Sequence, residues 1–165
     1  MPLDELSREK IEVFRAYIED SIANDDRYGP ARRHDQEDES TLITRFEAGP
    51  SCWFEVAVRP MIPQIRVGFM TSDPMISEEI EQAIQESGGS MQQFVGLGFA
   101  EAGLDWADPP VEHFNEGGEH FYFATPLELD EVPDVDLTEV RNKTLRMLEG
   151  YLIAFGPAIV VEEEE

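Results

Sequence analysis

Between Cys52 and Thr71 the chain reads CWFEVAVRPMIPQIRVGFMT, and apolar and polar positions alternate through it twice. Phe54, Val56 and Val58 alternate with Glu55, Ala57 and Arg59, and then Ile65, Val67 and Phe69 alternate with Gln64, Arg66 and Gly68. A period of two with one apolar face predicts a pair of strands. The linking Pro60-Met61-Ile62-Pro63 cannot extend the ladder, because two prolines remove two donors, so the strands are expected to fold back as a hairpin. Thr41 to Ala48 repeats the alternation, with Leu42, Thr44 and Phe46 against Ile43, Arg45 and Glu47, and Gly49-Pro50 turns it into that hairpin. Three sequential strands predict an antiparallel meander.

Elsewhere the period is that of a helix. Ser7 is the expected cap of a first helix running to about Ala23, whose Ile11, Phe14, Ile18 and Ile22 form a stripe widened by Val13 and Tyr17. Asp73-Pro74, or Ser77 slightly later, opens a second helix with Ile76, Ile80, Ala83 and Ile84 on its apolar face and Gly88-Gly89 at its end. The stretch SMQQFVGLGFAEAGL fits both periods: Val95, Leu97 and Phe99 alternate, while Met91, Phe94, Val95, Gly98, Phe99 and Ala102 follow helical spacing. Ser90 with Gln93 has the form of a capping box and favours helix, against two interior glycines that each cost about 1 kcal/mol. Asp136 and Glu139 are expected to box the start of a last helix whose Leu137, Val140, Thr144, Leu148, Tyr151, Leu152 and Phe155 form a wide apolar face ended by Gly156-Pro157.

Two segments complete the chain. Asn24 to Ser40, NDDRYGPARRHDQEDES, reads as a long solvated loop in which Arg32-Arg33-His34 compensates neighbouring carboxylates. VEHFNEGGEHFYFATPLEL signals a second hairpin: a two-residue Gly117-Gly118 turn pairs Glu116 with Glu119, Asn115 with His120, Phe114 with Phe121 and His113 with Tyr122. That register sets Phe114, Phe121 and Phe123 on the core face, and Pro126 marks the strand as an edge at its own position. The expected whole is α+β, a single domain over residues 1–161 with the polar loop at 24–40 and a solvated acidic tail at 162–165. Its antiparallel five-stranded sheet carries helices mainly on one face, in the order α-βββ-α(α)-ββ-α.

Composition adjusts this picture in three places. At 165 residues and 41% apolar content the chain suits one domain with its own core. No apolar run of about eighteen residues occurs, and MPLDELSREK carries charge where a signal peptide is apolar, so a cytoplasmic protein that spans no membrane is expected. The lone Cys52 excludes an internal disulfide and reads as a small buried hydrophobe. The net charge of -24 repels phosphate backbones and anionic membranes, which disfavours both as partners. Only Lys10 and Lys143 are lysines among twelve basic residues, a balance that matches the surface of a salt-adapted protein as well as that of an acidic adaptor.

Candidate chemistry is sparse. VGLGFAEAG lacks the glycine spacing of a dinucleotide loop, and no nucleophile elbow, zinc spacing or calcium loop is present. No cofactor is expected. In the register above His113 and His120 share the non-core face as diagonal neighbours, a weak candidate metal pair with Asn115 or Glu116 as third ligand. Glu101 and Asp105, near Trp106, are the one place where a carboxylate could sit against apolar residues as acid-base catalysis requires. For a protein or peptide partner the informative residues are aromatics that miss the core face: Trp53 opposite Phe54, Tyr122 opposite Phe121 and Phe123, and Trp106 in a loop, with Arg59 on the face of Trp53.

WFEVAVRP and IRVGFMT in the meander, followed by HFYFATPLELDEVPDVDLTEVRNKTLRMLEGYLIAF, resemble the type III secretion chaperone-like fold and within it the YbjN-like family of bacterial sensory-transduction regulators. The resemblance rests on the order of elements from Thr41 to Phe155. It implies a dimer-forming α+β domain that binds polypeptide and has no catalytic centre. The expected function is therefore a non-catalytic protein-binding module, chaperone-like or a regulatory adaptor and a homodimer. The competing classes are a small enzyme or metal-binding protein using the 113–120 hairpin, and a structural or stress-related protein whose acidity reflects salt.

Overall fold

The computed structural model describes residues 4–106, 108–116 and 120–163. It is an α+β structure with four helices and a six-stranded antiparallel sheet: α1 Glu5–Ala23, β1 Ala31–Arg33, β2 Leu42–Gly49, β3 Cys52–Arg59, β4 Gln64–Thr71, α2 Pro74–Glu86, α3 Met91–Glu101, β5 Glu112–Glu116, β6 His120–Glu128 and α4 Thr138–Glu163. The strands lie in the order β1-β2-β3-β4-β6-β5. The meander of β2, β3 and β4 forms as expected, with Phe46 opposite Phe54 and Phe54 opposite Phe69.

The expected count of five strands is corrected by β1, inside the segment read as loop. Ala31, Arg32 and Arg33 pair with Phe46, Arg45 and Thr44, and all three are exposed, so no alternation betrays the strand. What holds it is charge and backbone pairing. Arg33 reaches Glu12 at 2.8 Å and Glu19 at 2.9 Å on α1. Just beyond, Asp35 receives both terminal nitrogens of the buried Arg15, at 2.9 and 2.8 Å, while Arg15 also donates to Ile43 O at 3.1 Å. Burial pushes the Asp35 carboxyl up, but the hydrogen bonds and charge of Arg15, with the Ile43 N–H, together hold it below the usual carboxylate range.

Helix boundaries follow local chemistry with two corrections. α1 begins earlier than expected because Asp4 caps it, accepting from Ser7 N–H at 2.7 Å, and Ser7 itself is buried. α4 starts at Thr138 after a 3-10 turn over Val132–Asp136, and it runs through Gly156-Pro157 to Glu163 where an end was expected. Pro157 removes a single intrahelical donor. The turn before it is anchored by Phe155, which packs on Phe69, Phe123 and Tyr151. Asp73 caps α2 and the Ser90–Gln93 box caps α3, both at the positions the sequence marks.

The glycines that argue against a helix at 91–101 explain where that helix sits. A Cβ on Gly98 would lie 2.4 Å from Gly150 O of α4, so the two backbones meet at a separation only glycine permits. The core between helices and sheet holds Phe14, Ile18, Phe46, Phe54, Phe69, Phe99, Phe123, Tyr151 and Phe155, each at most 1% exposed. No helix among the described residues is long and apolar enough to cross a membrane.

Candidate functional site

Register divides the sheet into two faces. Leu42, Thr44 and Phe46 of β2, Phe54, Val56 and Val58 of β3, Ile65, Val67 and Phe69 of β4 and Phe123 and Thr125 of β6 share one face. The helices reach this face: Arg15 of α1 donates to Thr44 Oγ1, Tyr151 Oη of α4 lies 2.7 Å from Thr125 Oγ1, and Phe155 packs on Phe69 and Phe123. Burial pushes the Tyr151 hydroxyl above its usual range, and the Thr125 hydrogen bond pulls it back only partly.

The opposite face presents four rows across the strands. Glu47, Trp53, Met70, Tyr122 and Phe114 stand in one register line, and Arg32, Arg45, Glu55, Gly68, Ala124 and Glu112 in the next. Beyond them come Ile43, Ala57, Arg66 and Pro126, then Arg59, Gln64 and Glu128. The ion pairs and ring contacts found on these rows run between strands, Arg45 to Glu55, Arg66 to Glu112 and Phe114 to Tyr122, and the shallow groove over Gly68 is lined by strand residues. The face closes over itself. Phe114 stacks on Tyr122 with ring centroids 4.7 Å apart at 14°, Arg66 lies over Phe114 at 5.4 Å, and Met70, opposite Tyr122 in the row, is 1% exposed. Arg45 pairs with Glu55 at 3.1 Å and Arg66 approaches Glu112 at 3.8 Å, so charge on this face is largely compensated within it.

Of the four residues singled out from sequence for a partner, the fold sets Trp53 and Tyr122 in one row and Arg59 on the same face three rows away. Trp53 and Arg59 are half-buried, and Arg59 donates to Gln64 Oε1 at 3.0 Å. Tyr122 is 8% exposed beneath Phe114, so Phe114, at 36%, is the aromatic this end of the row offers to solvent. Sequence reasoning assigned Phe114 to the core. The reason is a register slip of one residue. His120 pairs with Glu116, Phe121 with Asn115, Tyr122 with Phe114 and Phe123 with His113, which leaves three residues between the strands in place of two. The expected pair of Glu116 with Glu119 and the Gly117-Gly118 turn involve positions outside the described residues. Because side chains alternate, a slip of one exchanges the faces of the whole partner strand.

The same slip removes the metal candidate. His113 lies on the helix-covered face, stacked on Phe123 at 4.0 Å, with Nδ1 2.9 Å from Tyr122 O and Nε2 2.8 Å from the Glu81 carboxylate of α2. His120 is on the other face, its ring 6.5 Å from that of Tyr122. The two imidazoles cannot share an ion across a sheet. Among the described residues no group of three or more His, Cys, Asp and Glu is placed to hold one.

Trp106 is the partner candidate that stands apart. It sits on the helix side, 5.9 Å from Phe99, with Lys143 Nζ 4.2 Å above its ring. It walls a cleft of about 480 Å³ against Phe94, Leu97 and Leu104 of the α3 region. Glu101 and Asp105 are both exposed there, so neither is held in the apolar enclosure that acid-base chemistry would need. No family model matches the chain, and neither a curated protein nor a solved structure matches it.

Proposed function

We propose that the uncovered face of the sheet is a contact surface and that the protein is a non-catalytic protein-binding module, chaperone-like or a regulatory adaptor. One observation carries this reading. Trp53, Met70, Tyr122 and Phe114, from four different strands, form an unbroken apolar row on the face opposite the one that α1 and α4 pack against. The row offers solvent the half-buried Trp53 at one end and Phe114, 36% exposed, at the other, with Met70 and Tyr122 buried between them; exposed aromatics on a sheet face mark contact surface, and Trp, Tyr and Arg are the residue types that anchor protein interfaces. The charge of that face supports a protein partner. A chain of net charge -24 repels polyanions over most of its surface, while here Arg32, Arg45, Arg59 and Arg66 balance Glu47, Glu55, Glu112 and Glu128.

Intrinsic fluorescence tests the reading. With Trp106→Phe, Trp53 is the single tryptophan, and its emission should shift to the blue when partner protein from a lysate at the native salt concentration is bound. Capture should fail with Trp53→Glu. Undiminished capture by that variant would overturn the reading.

A further inference from the structure

The geometry points to a second copy of this chain as the partner that covers the uncovered face, in a sheet-on-sheet homodimer whose twofold axis runs along the strands. This rests on the reading of that face as a contact surface and names its occupant.

The argument is one of self-complementarity. A twofold axis parallel to the strands, placed above the boundary between β3 and β4, sets β1 over β5 of the second copy, β2 over β6 and β3 over β4, because the order is β1-β2-β3-β4-β6-β5. Rows then meet themselves in reverse. In the apolar row, Trp53 lies over the second copy's Met70 and Glu47 over its Tyr122. In the adjacent row, read as Arg32, Arg45, Glu55, Gly68, Ala124 and Glu112, reversal places Arg32 over Glu112, Arg45 over Ala124 and Glu55 over Gly68. In the next, Ile43 meets Pro126 and Ala57 meets Arg66. No like charges are opposed, and Arg32, which forms no ion pair among the described residues, gains one in each half of the dimer. A twofold axis across the strands midway between the four rows would instead set Tyr122 over Glu128 and Trp53 over Arg59, and one laid along the apolar row would set Glu47 over the second copy's Glu47.

Size is consistent with a specific contact. Six strands at about 4.8 Å spacing and about 26 Å of strand length give about 600 Å² per copy and about 1,200 Å² for the pair, at the lower end of specific interfaces. Two sheets packed face to face in this alignment cross at about 30°, the angle their twist imposes. Each copy carries a charge of -24, so long-range repulsion opposes pairing until salt screens it. Association should therefore strengthen as salt rises, opposite to an interface held mainly by ion pairs.

Light scattering and sedimentation equilibrium of the full chain, from 0.05 to about 2 M NaCl, test the inference. A dimer favoured at high salt is expected. Trp53→Glu should raise the dimer dissociation constant at least about a hundredfold, with the melting temperature at low salt, where repulsion keeps the chain monomeric, nearly unchanged. Arg32→Glu or Glu112→Arg alone should raise it about tenfold, and the two combined in one chain should restore it, since the reversed pair again meets its opposite across the axis. A strict monomer at all salt concentrations would overturn self-pairing, as would a dimer indifferent to Trp53→Glu or a double swap no better than either single one. The contact-surface reading fails separately. A monomer that still captures another protein through Trp53 sinks only the homodimer, whereas capture or dimerisation untouched by Trp53→Glu sinks both.

Discussion

The two faces of one sheet were built from the same strands by the same alternation, yet they end in different states. On the covered face Phe54, Phe69 and Phe123 are fully buried under α4. On the other, Trp53 and Phe114 reach solvent, while Met70 and Tyr122 between them in the row are buried. The difference is one of what does the burying. Helix side chains fill the first face as a fixed core, whereas the second relies on its own aromatics and leaves their outer surfaces for something else. Residues adjacent in sequence, such as Trp53 and Phe54, thus differ in consequence more than residues twenty positions apart on one face.

That contrast can be broken by substitution, beginning with the largest effect. Phe54→Ala should destabilise by about 3–5 kcal/mol in urea unfolding, since it opens a cavity under the helices. A loss near 1 kcal/mol would mean that the covered face is not a packed core. Gly68→Ala, on the uncovered face, should cost about 1–3 kcal/mol, because the new Cβ would lie 2.3 Å from Phe123 O and the strands must part. An unchanged midpoint would show that β4 and β6 approach less closely. Third, Asp35→Asn should cost about 1 kcal/mol after allowance for solvent screening of a partly exposed carboxylate. Its pH signature has a definite sign. A carboxylate whose folded pKa is depressed contributes stability above the unfolded value near pH 4, and that contribution disappears as pH falls through the lower folded value. The wild type should therefore lose more stability than Asp35→Asn on acidification below about pH 4, and parallel acid curves would count against the Arg15 pair. Smallest of all, Trp53→Ala should change monomer stability by about half a kcal/mol, while it removes the contact row's first aromatic.

Much of the fold was legible from local pattern. The meander, the caps at Asp73 and Ser90 and the apolar stripe of α1 are written in short-range periodicity and in residues that satisfy their own backbone neighbours. β1 was not legible, because Ala31, Arg32 and Arg33 carry no alternation and are recruited by the edge of β2 and by Glu12 and Glu19 of α1. Nor was the end of α4, where packing of Phe155 outweighs Gly156-Pro157. The site was half legible: Trp53 and Arg59 follow from the period of β3, but Phe114 does not follow from anything nearby.

What the sequence determined by itself is a set of amphipathic strands and helices and the side of each strand that is most apolar. Which strand faces which, and therefore which aromatic reaches the uncovered face, was decided only by the assembled sheet. The segment EHFNEGGEHFYF admits two registers that differ by one residue, and both place an aromatic on either side. The pairing of β6 with β4 and the reach of Glu81 to His113 select one of them, through contacts more than thirty residues away. Local sequence cannot encode a choice whose energy lies in distant partners, and here that choice settles which aromatics of β5 and β6 lie on the uncovered face.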